Sequence, residues 1–175
     1  SRYLSVDRYG LACPACSTGF GSVEKDTSSN EIETDLHGSA LMNYRISMHA
    51  RDHECDIQGV VNNAHYQHYF EHARHHFLKQ HDLDFSTLAK QGVNLMVQKI
   101  EIEYKRSLKA FQNFDVTVKP VAVSKLKTRF EQQIYDCDSG QLIAKANTIV
   151  VPVGQNEKPL RHNPISKLFT NKESL

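Results

Sequence analysis

No uninterrupted apolar run in this chain approaches the roughly 18 residues that a membrane-spanning helix requires, and the N-terminal end lacks the apolar core of a secretory signal. Stable membrane insertion is therefore not expected, and the expected location is cytoplasmic. An excess of charge of one sign is missing too. Lys and Arg total 21 against 20 for Asp and Glu, a net charge of +1, so nothing pushes the chain as a whole toward nucleic acid, and any polyanion must be met by a local patch. Cysteine is scarce: four residues, at 13, 16, 55 and 137. Cys13-Pro14-Ala15-Cys16 has the spacing of a redox pair or half a zinc site, but no second close pair follows at the usual distance. A closed tetrahedral site would lack two ligands, so no metal and no cofactor is expected. The Gly-x-Ser-x-Gly elbow of a serine hydrolase is absent, as are internal repeats and low-complexity tracts. What remains is one domain of ordinary size, since 175 residues can bury a real core but not two.

The most informative stretch runs from Asp56 through Gly59, Val60, Asn62 and Asn63 to Tyr66, followed by an amphipathic segment. Tyr66, Tyr69, Phe70, Ala73 and Phe77 fall at i, i+3, i+4, i+7 and i+11, which places them on one face of a helix expected to end near Gln80. Asn62 or Asn63 suits the N-cap, where a short amide side chain accepts from a free backbone N–H, and Gly59 permits a tight approach of the backbone. The first-turn N–H groups and the helix dipole make that terminus a place to hold an anion or an oxyanion. A carboxylate four to seven residues upstream can face it. Asp56 is thus a candidate nucleophile or general base on a carbonyl held by the Asn63 amide, against the blander reading of a turn residue.

Asp-x-x-Gly-Val-Val-Asn-Asn-x-x-Tyr at 56–66, with Tyr-Phe-Glu-His-Ala-Arg at 69–74, resembles the 4-hydroxybenzoyl-CoA thioesterase family of hotdog-fold acyl-CoA thioesterases, and the resemblance extends from Met42 to Pro164. It implies that Asp56 is the catalytic carboxylate and that the backbone amide of Asn63 polarises the thioester carbonyl. Gly59, Val60 and Tyr66 would border the substrate. The Tol-Pal-associated branch carries Tyr-His where this chain has Asn62-Asn63, and His65, two places later, is not its equivalent. The implied substrate is an acyl-CoA, with acyl carrier protein an alternative thioester carrier, and the implied assembly is a homodimer or homotetramer paired through its sheets. A non-catalytic acyl-thioester or protein-binding hotdog module is the rival, favoured if Asp56 is tied up in a salt bridge such as one to Arg51 and leaves no pocket beside Asn63. A hotdog dehydratase would show a His with an acidic partner at the helix start, a pattern not met here.

The rest of the chain supplies a scaffold. Residues 1–41 mix Gly, Ser, Thr and charge without a sustained period and are read as an N-terminal extension, whether native, a processed remnant or added. The domain is placed at 42–164 and a solvated C-terminal tail at 165–175. Tyr44, Ile46 and Met48 alternate as in a half-buried strand. Leu83, Phe85 and Leu88 anchor a short turn or helical piece that ends at Gly92. Four further strands are expected over 95–104, 114–123, 127–136 and 142–153, the last pair joined by a turn at Asp138-Ser139-Gly140, and together they read as a meander. The expected class is α+β: a hotdog fold with one long central helix wrapped by a mainly antiparallel sheet of about five strands.

Six side-chain groups stand beside the main motif. Lys125, Lys127 and Arg129 alternate at the start of a strand and suit the phosphates of coenzyme A, or else form a charged sheet edge; Lys105-Arg106 is a second, weaker patch. His65, His68, His72, His75 and His76 form a stripe on the helix, read as a solvated or interface face before a metal site. Glu71 is expected to pair with Arg74 at i+3, and Arg51 with Asp52 at the base of the loop. Cys55, beside Asp56, is read as a small part-buried thiol.

Overall fold

A computed structural model describes residues 31–34, 40–154, 156 and 158–170; the Cys13-Cys16 pair lies outside the described residues. In chain order the elements are β1 (Glu31–Thr34), β2 (Ala40–His49), α1 (Asn63–Gln80), α2 (Phe85–Lys90), β3 (Asn94–Tyr104), β4 (Asn113–Ala122), β5 (Thr128–Asp136), β6 (Leu142–Val153) and a short α3 (Lys167–Thr170). The sheet is antiparallel throughout, ordered β1-β2-β4-β5-β6-β3, and α1 lies across one face of it.

The helix forms where the spacing placed it, and its aromatic stripe is the reason. Tyr66, Tyr69, Phe70, Ala73 and Phe77 are all buried, with Phe70, Ala73 and Phe77 fully so. They meet the inward residues of the sheet. Phe77 packs edge-on against Phe130 of β5 at 6.2 Å and tilted against Tyr44 of β2 at 5.7 Å, while Tyr69 lies 4.8 Å from Phe114 of β4. Each such ring removed from water contributes about 1.5–3 kcal/mol, so this stripe dominates the anchoring of α1. On β5 burial alternates strictly, as a sheet with one face under the helix and the other toward solvent requires.

Three features differ from the sequence reading. The strands do not form a simple meander: β4, β5 and β6 do, but β3 pairs with β6, and β4 returns to pair with β2. The segment between β3 and β4 therefore crosses from one edge of the sheet toward the other, beneath the N-terminus of α1. Upstream, the sheet extends beyond Met42, because β2 begins at Ala40 and β1 pairs with it. Downstream, residues 165–170 are not a frayed tail. Ile165 is fully buried and the Asn163 side chain donates to Thr128 Oγ1 at 2.9 Å, tying this segment to the start of β5. Leu83 and Leu88 are buried as expected; the Phe85 side chain falls outside the described residues.

Arg74 is a further difference. It does not pair with Glu71. It sits 5% exposed on the core side of α1, donating to Gln132 Oε1 at 3.0 Å and Thr148 Oγ1 at 3.4 Å, while Gln132 Nε2 donates to the carbonyl of Phe70. Position 74 is four residues after Phe70 and three before Phe77, which places it on the buried face. Glu71 instead lies 3.7 Å from His75. Burial lowers the Arg74 guanidinium to about 10, partly offset by the negative Glu71.

Candidate active site

The loop between β2 and α1 is held in shape by its own backbone. Asp56 N donates to Val60 O and Gly59 N to Asp56 O, closing a tight turn in which Gly59 takes φ +74°, a conformation that costs a residue with a Cβ about 1 kcal/mol or more. Cys55 bridges to Val61, and Val60 bridges to Lys109 on the crossing segment. Asp56 Oδ1 accepts from Gln58 N at 2.8 Å, so the carboxylate does play the turn role of the bland reading. Oδ2 makes no hydrogen bond among the described residues, and the group is exposed.

One side chain ties this loop to the helix. Glu54 Oε2 accepts from Tyr69 Oη at 2.6 Å and from Arg51 N at 2.8 Å, and Glu54 O accepts from Asn62 N at 2.9 Å. Partial burial raises the Glu54 carboxyl, but the hydrogen bonds from Tyr69 and Arg51, with the His65 and Arg51 side chains nearby, outweigh it and leave the group below its ordinary value. Burial first and Glu54 second push Tyr69 well above the ordinary phenol value, so it stays a donor. The expected Arg51–Asp52 salt bridge is absent; Asp52 lies 3.6 Å from His53 Nδ1. Arg51 does not pair with Asp56 either, so the condition that favoured a non-catalytic module is not met.

At the start of α1, Asn62 is the N-cap. Its Oδ1 accepts from Ala64 N at 3.0 Å and its carbonyl accepts from His65 N at 3.0 Å. The N–H of Asn63 is left without an acceptor among the described residues, at the positive end of the helix. An open cavity of about 390 Å3 lies against it, lined by Asp56 and Val60 from the loop, Asn63 and Tyr66 from α1, and residues 104–107 from the end of β3. The free amide, the carboxylate and the cavity coincide. That arrangement can take a carbonyl oxygen on one side and attack its carbon, directly or through water, from the other.

Of the residues singled out for substrate, Val60 and Tyr66 line the cavity. Tyr66 is nearly fully buried and its hydroxyl accepts from Leu108 N at 2.9 Å, so it also fixes the crossing segment. Gly59 shapes the turn rather than the wall. Lys125, Lys127 and Arg129 are not brought to the site. Lys125 and Lys127 sit in the turn before β5, and Arg129 pairs with Glu131 at 2.8 Å. Tyr104 shares a row of the sheet with Ala144 and Ile134, and Ile134 is six residues from Thr128, so the turn lies about 20 Å along the sheet from that row. The weaker patch is the one that arrives: Lys105 and Arg106 line the cavity. Tyr104 was missed by the sequence reading. Its hydroxyl donates to Asn63 O at 3.2 Å and its ring stands edge-on to Tyr66 at 5.1 Å. Among the described residues no group of three or more His, Cys, Asp or Glu side chains could hold a metal ion, and no helix is long and apolar enough to cross a membrane.

Residues 50–170 match the model of the thioesterase-like superfamily. A chloroplastic acyl-acyl carrier protein thioesterase of Arabidopsis thaliana, ATL3, is 28% identical over 129 residues, which span 73% of this chain and 68% of that protein. The crystal structure of a hypothetical protein from Aquifex aeolicus superposes with a TM-score of 0.65 at 25% identity, covering 71% of this chain and 96% of the other. A 1,4-dihydroxy-2-naphthoyl-CoA thioesterase from Synechocystis shares the fold at 18% identity, with a TM-score of 0.64 over 67% of this chain and 88% of its own.

Proposed function

The chain belongs to the thioesterase-like superfamily, with the hotdog fold, and is a thioester hydrolase; from that premise we propose that it cleaves an acyl-CoA, or an acyl group on carrier protein, to the free acid and the thiol. The single observation that carries the reading is the unpaired N–H of Asn63 sharing one cavity with the Asp56 carboxylate. The thioester carbonyl oxygen accepts from Asn63 N–H, and the helix dipole favours the charge that builds on it. Asp56 either takes a proton from water as the water oxygen bonds to the carbonyl carbon, or attacks that carbon itself to give an anhydride that water then opens. In both cases the carbon–sulfur bond breaks and the thiolate leaves to be protonated. The geometry is compatible with both routes.

The closer kinship to the 4-hydroxybenzoyl-CoA type rests on the motif at 56–66 together with Tyr-Phe-Glu-His-Ala-Arg at 69–74. A homodimer or homotetramer is part of the same proposal. Among the described residues β3 pairs only with β6, and it exposes Met96, Val97 and Tyr104 along a strand of 11 residues, an edge that a second copy would cover. A monomer by light scattering would contradict that part. The activity itself is tested by release of free thiol from short, long and aromatic acyl-CoAs and acyl carrier proteins, comparing the wild-type chain with Asp56→Asn. A loss of orders of magnitude in a folded variant supports the assignment; equal turnover in both proteins, or none in either, overturns it.

A further inference from the structure

The five-histidine stripe of α1 is not uniform in the folded chain. His65 and His68 stand edge-on to each other at 5.7 Å, and His75 lies 3.7 Å from Glu71. His72 and His76 form a third group. They are four residues apart, so one lies above the other on the helix, with ring centroids 6.2 Å apart and planes inclined at 37°. His72 is solvent-accessible and makes no hydrogen bond or ion pair among the described residues. His76 is half-buried and held from behind: its Nδ1 is hydrogen-bonded to Tyr44 Oη on β2, and the two rings stack at 6.0 Å. Tyr44 is itself 2% exposed and packs against Phe77, so the anchor belongs to the core. When Nδ1–H donates to the phenol oxygen, the Nε2 lone pair of His76 is left for a ligand. Partial burial first, and His76 second, hold the His72 imidazole below its ordinary value, so it too is neutral at neutral pH and offers a lone pair.

We propose that His72 and His76 chelate one divalent transition-metal ion of the zinc and nickel class through their Nε2 atoms. The donors select that class, because imidazole suits zinc, nickel and copper, whereas magnesium and calcium take oxygen ligands. Tyr44 supplies what a ligating histidine ordinarily has, a partner on the second ring nitrogen that fixes its tautomer and direction. Zinc–nitrogen bonds of roughly 2.0–2.1 Å require the two rings to close on the ion, and His72, accessible and unbonded, is the one free to turn. No third His, Cys, Asp or Glu side chain joins the pair among the described residues, so the remaining positions are left to water. His72 lies about 13 Å along the helix from Asn63, so the ion staples one turn of α1 above β2 and takes no part in thioester hydrolysis.

The test is calorimetric titration of the full, untagged chain with zinc chloride and, separately, magnesium chloride. The proteins are wild type, His72→Gln, His76→Gln, Tyr44→Phe and a His65→Gln/His68→Gln control. Wild type is expected to bind zinc saturably, with one equivalent lost in His72→Gln and in His76→Gln and retained in the control, and magnesium is expected to show no site that these substitutions remove. Tyr44→Phe keeps both ligands and the packed ring, so its zinc affinity should fall by about 10-fold. Zinc should raise the melting temperature of wild type but not that of His72→Gln, because an ion bound only by the folded chain stabilises it. Paramagnetic nickel should broaden the His72 and His76 imidazole signals in NMR spectra before those of His65 and His68. The His72 side chain is accessible and unbonded, so His72→Gln leaves the fold in place, and the outcome does not depend on whether the chain hydrolyses a thioester. No saturable zinc binding in wild type overturns the proposal. The same number of zinc sites in His72→Gln and His76→Gln as in wild type, or an equivalent lost only in the control, overturns it as well.

Discussion

Tyr69→Phe isolates the contact that holds the Asp56 loop to the helix. The ring is 7% exposed and packs 4.8 Å from Phe114, and both features survive in phenylalanine, so no cavity forms. What is lost is one hydrogen bond from Tyr69 Oη to Glu54 Oε2 at 2.6 Å. A hydrogen bond to a charged acceptor contributes about 1.5–3 kcal/mol, but Glu54 is only half-buried and water can replace the lost donor, so about 1–2 kcal/mol is the expected cost. Urea unfolding should show a lower midpoint at unchanged slope. The pH dependence supplies a second check. Glu54 has a folded-state pKa below its ordinary 4.5, so its contribution is present above that value and is lost as pH falls through the lower folded-state value. Tyr69→Phe should shrink that acid-side loss. A double-mutant cycle with Glu54→Gln should give a coupling of about 1 kcal/mol. A cost below about 0.3 kcal/mol for Tyr69→Phe, with no coupling to Glu54, would refute the claim that this pair fastens the loop.

Three further outcomes are expected. Gly59→Ala meets nothing within 4 Å of its new Cβ, so its cost is conformational alone, about 1–2 kcal/mol by urea unfolding, and Gly59→Asn should cost less because asparagine tolerates positive φ. Arg74→Lys should destabilise by about 1–3 kcal/mol, because Arg74 Nη1 alone donates to both Gln132 and Thr148 and a lysine ammonium, on a shorter side chain and more strongly hydrated, is costlier to bury there; an unchanged melting temperature would contradict this. His72, His75 and His81 are each lowered, first of all by burial, so the unfolded chain binds more protons near pH 6 and stability should fall as pH drops through 6.5. Melting temperature against pH should be flatter in His72→Gln, whose imidazole His76 also depresses.

The helix was legible in sequence because its signal is local. Five apolar residues at helical spacing and an asparagine cap define α1 without reference to the sheet, and the strands that alternate cleanly, such as β5, were legible for the same reason. The placement of β3 beside β6 was not, since alternation says that a strand exists and nothing about its neighbour. Lys125, Lys127 and Arg129 show the limit of period-two reasoning. They share a face only if all three are in a strand, and β5 begins at Thr128. Arg74 was misread because the i,i+3 rule was applied to its charge while its place four residues after Phe70 was ignored. Asp56 and Asn63 were legible as neighbours because they are seven residues apart, and they line one cavity. Tyr104 reaches the same cleft, and the Leu108 N–H reaches Tyr66 in its wall, from about forty residues away, and no local pattern announces them.

The proposed hydrolysis turns on the free amide of Asn63 taking a carbonyl oxygen opposite Asp56. The most direct measurement is the amide resonance of Asn63 in two-dimensional NMR spectra of the 15N-labelled protein, as a ketone analogue of the acyl-pantetheine thioester is added. A downfield shift of that amide proton is expected, the largest among the first-turn amides, with Ala64 little moved because Asn62 already occupies it. Saturable binding of the analogue with Asn63 unperturbed and the main shifts elsewhere would contradict it.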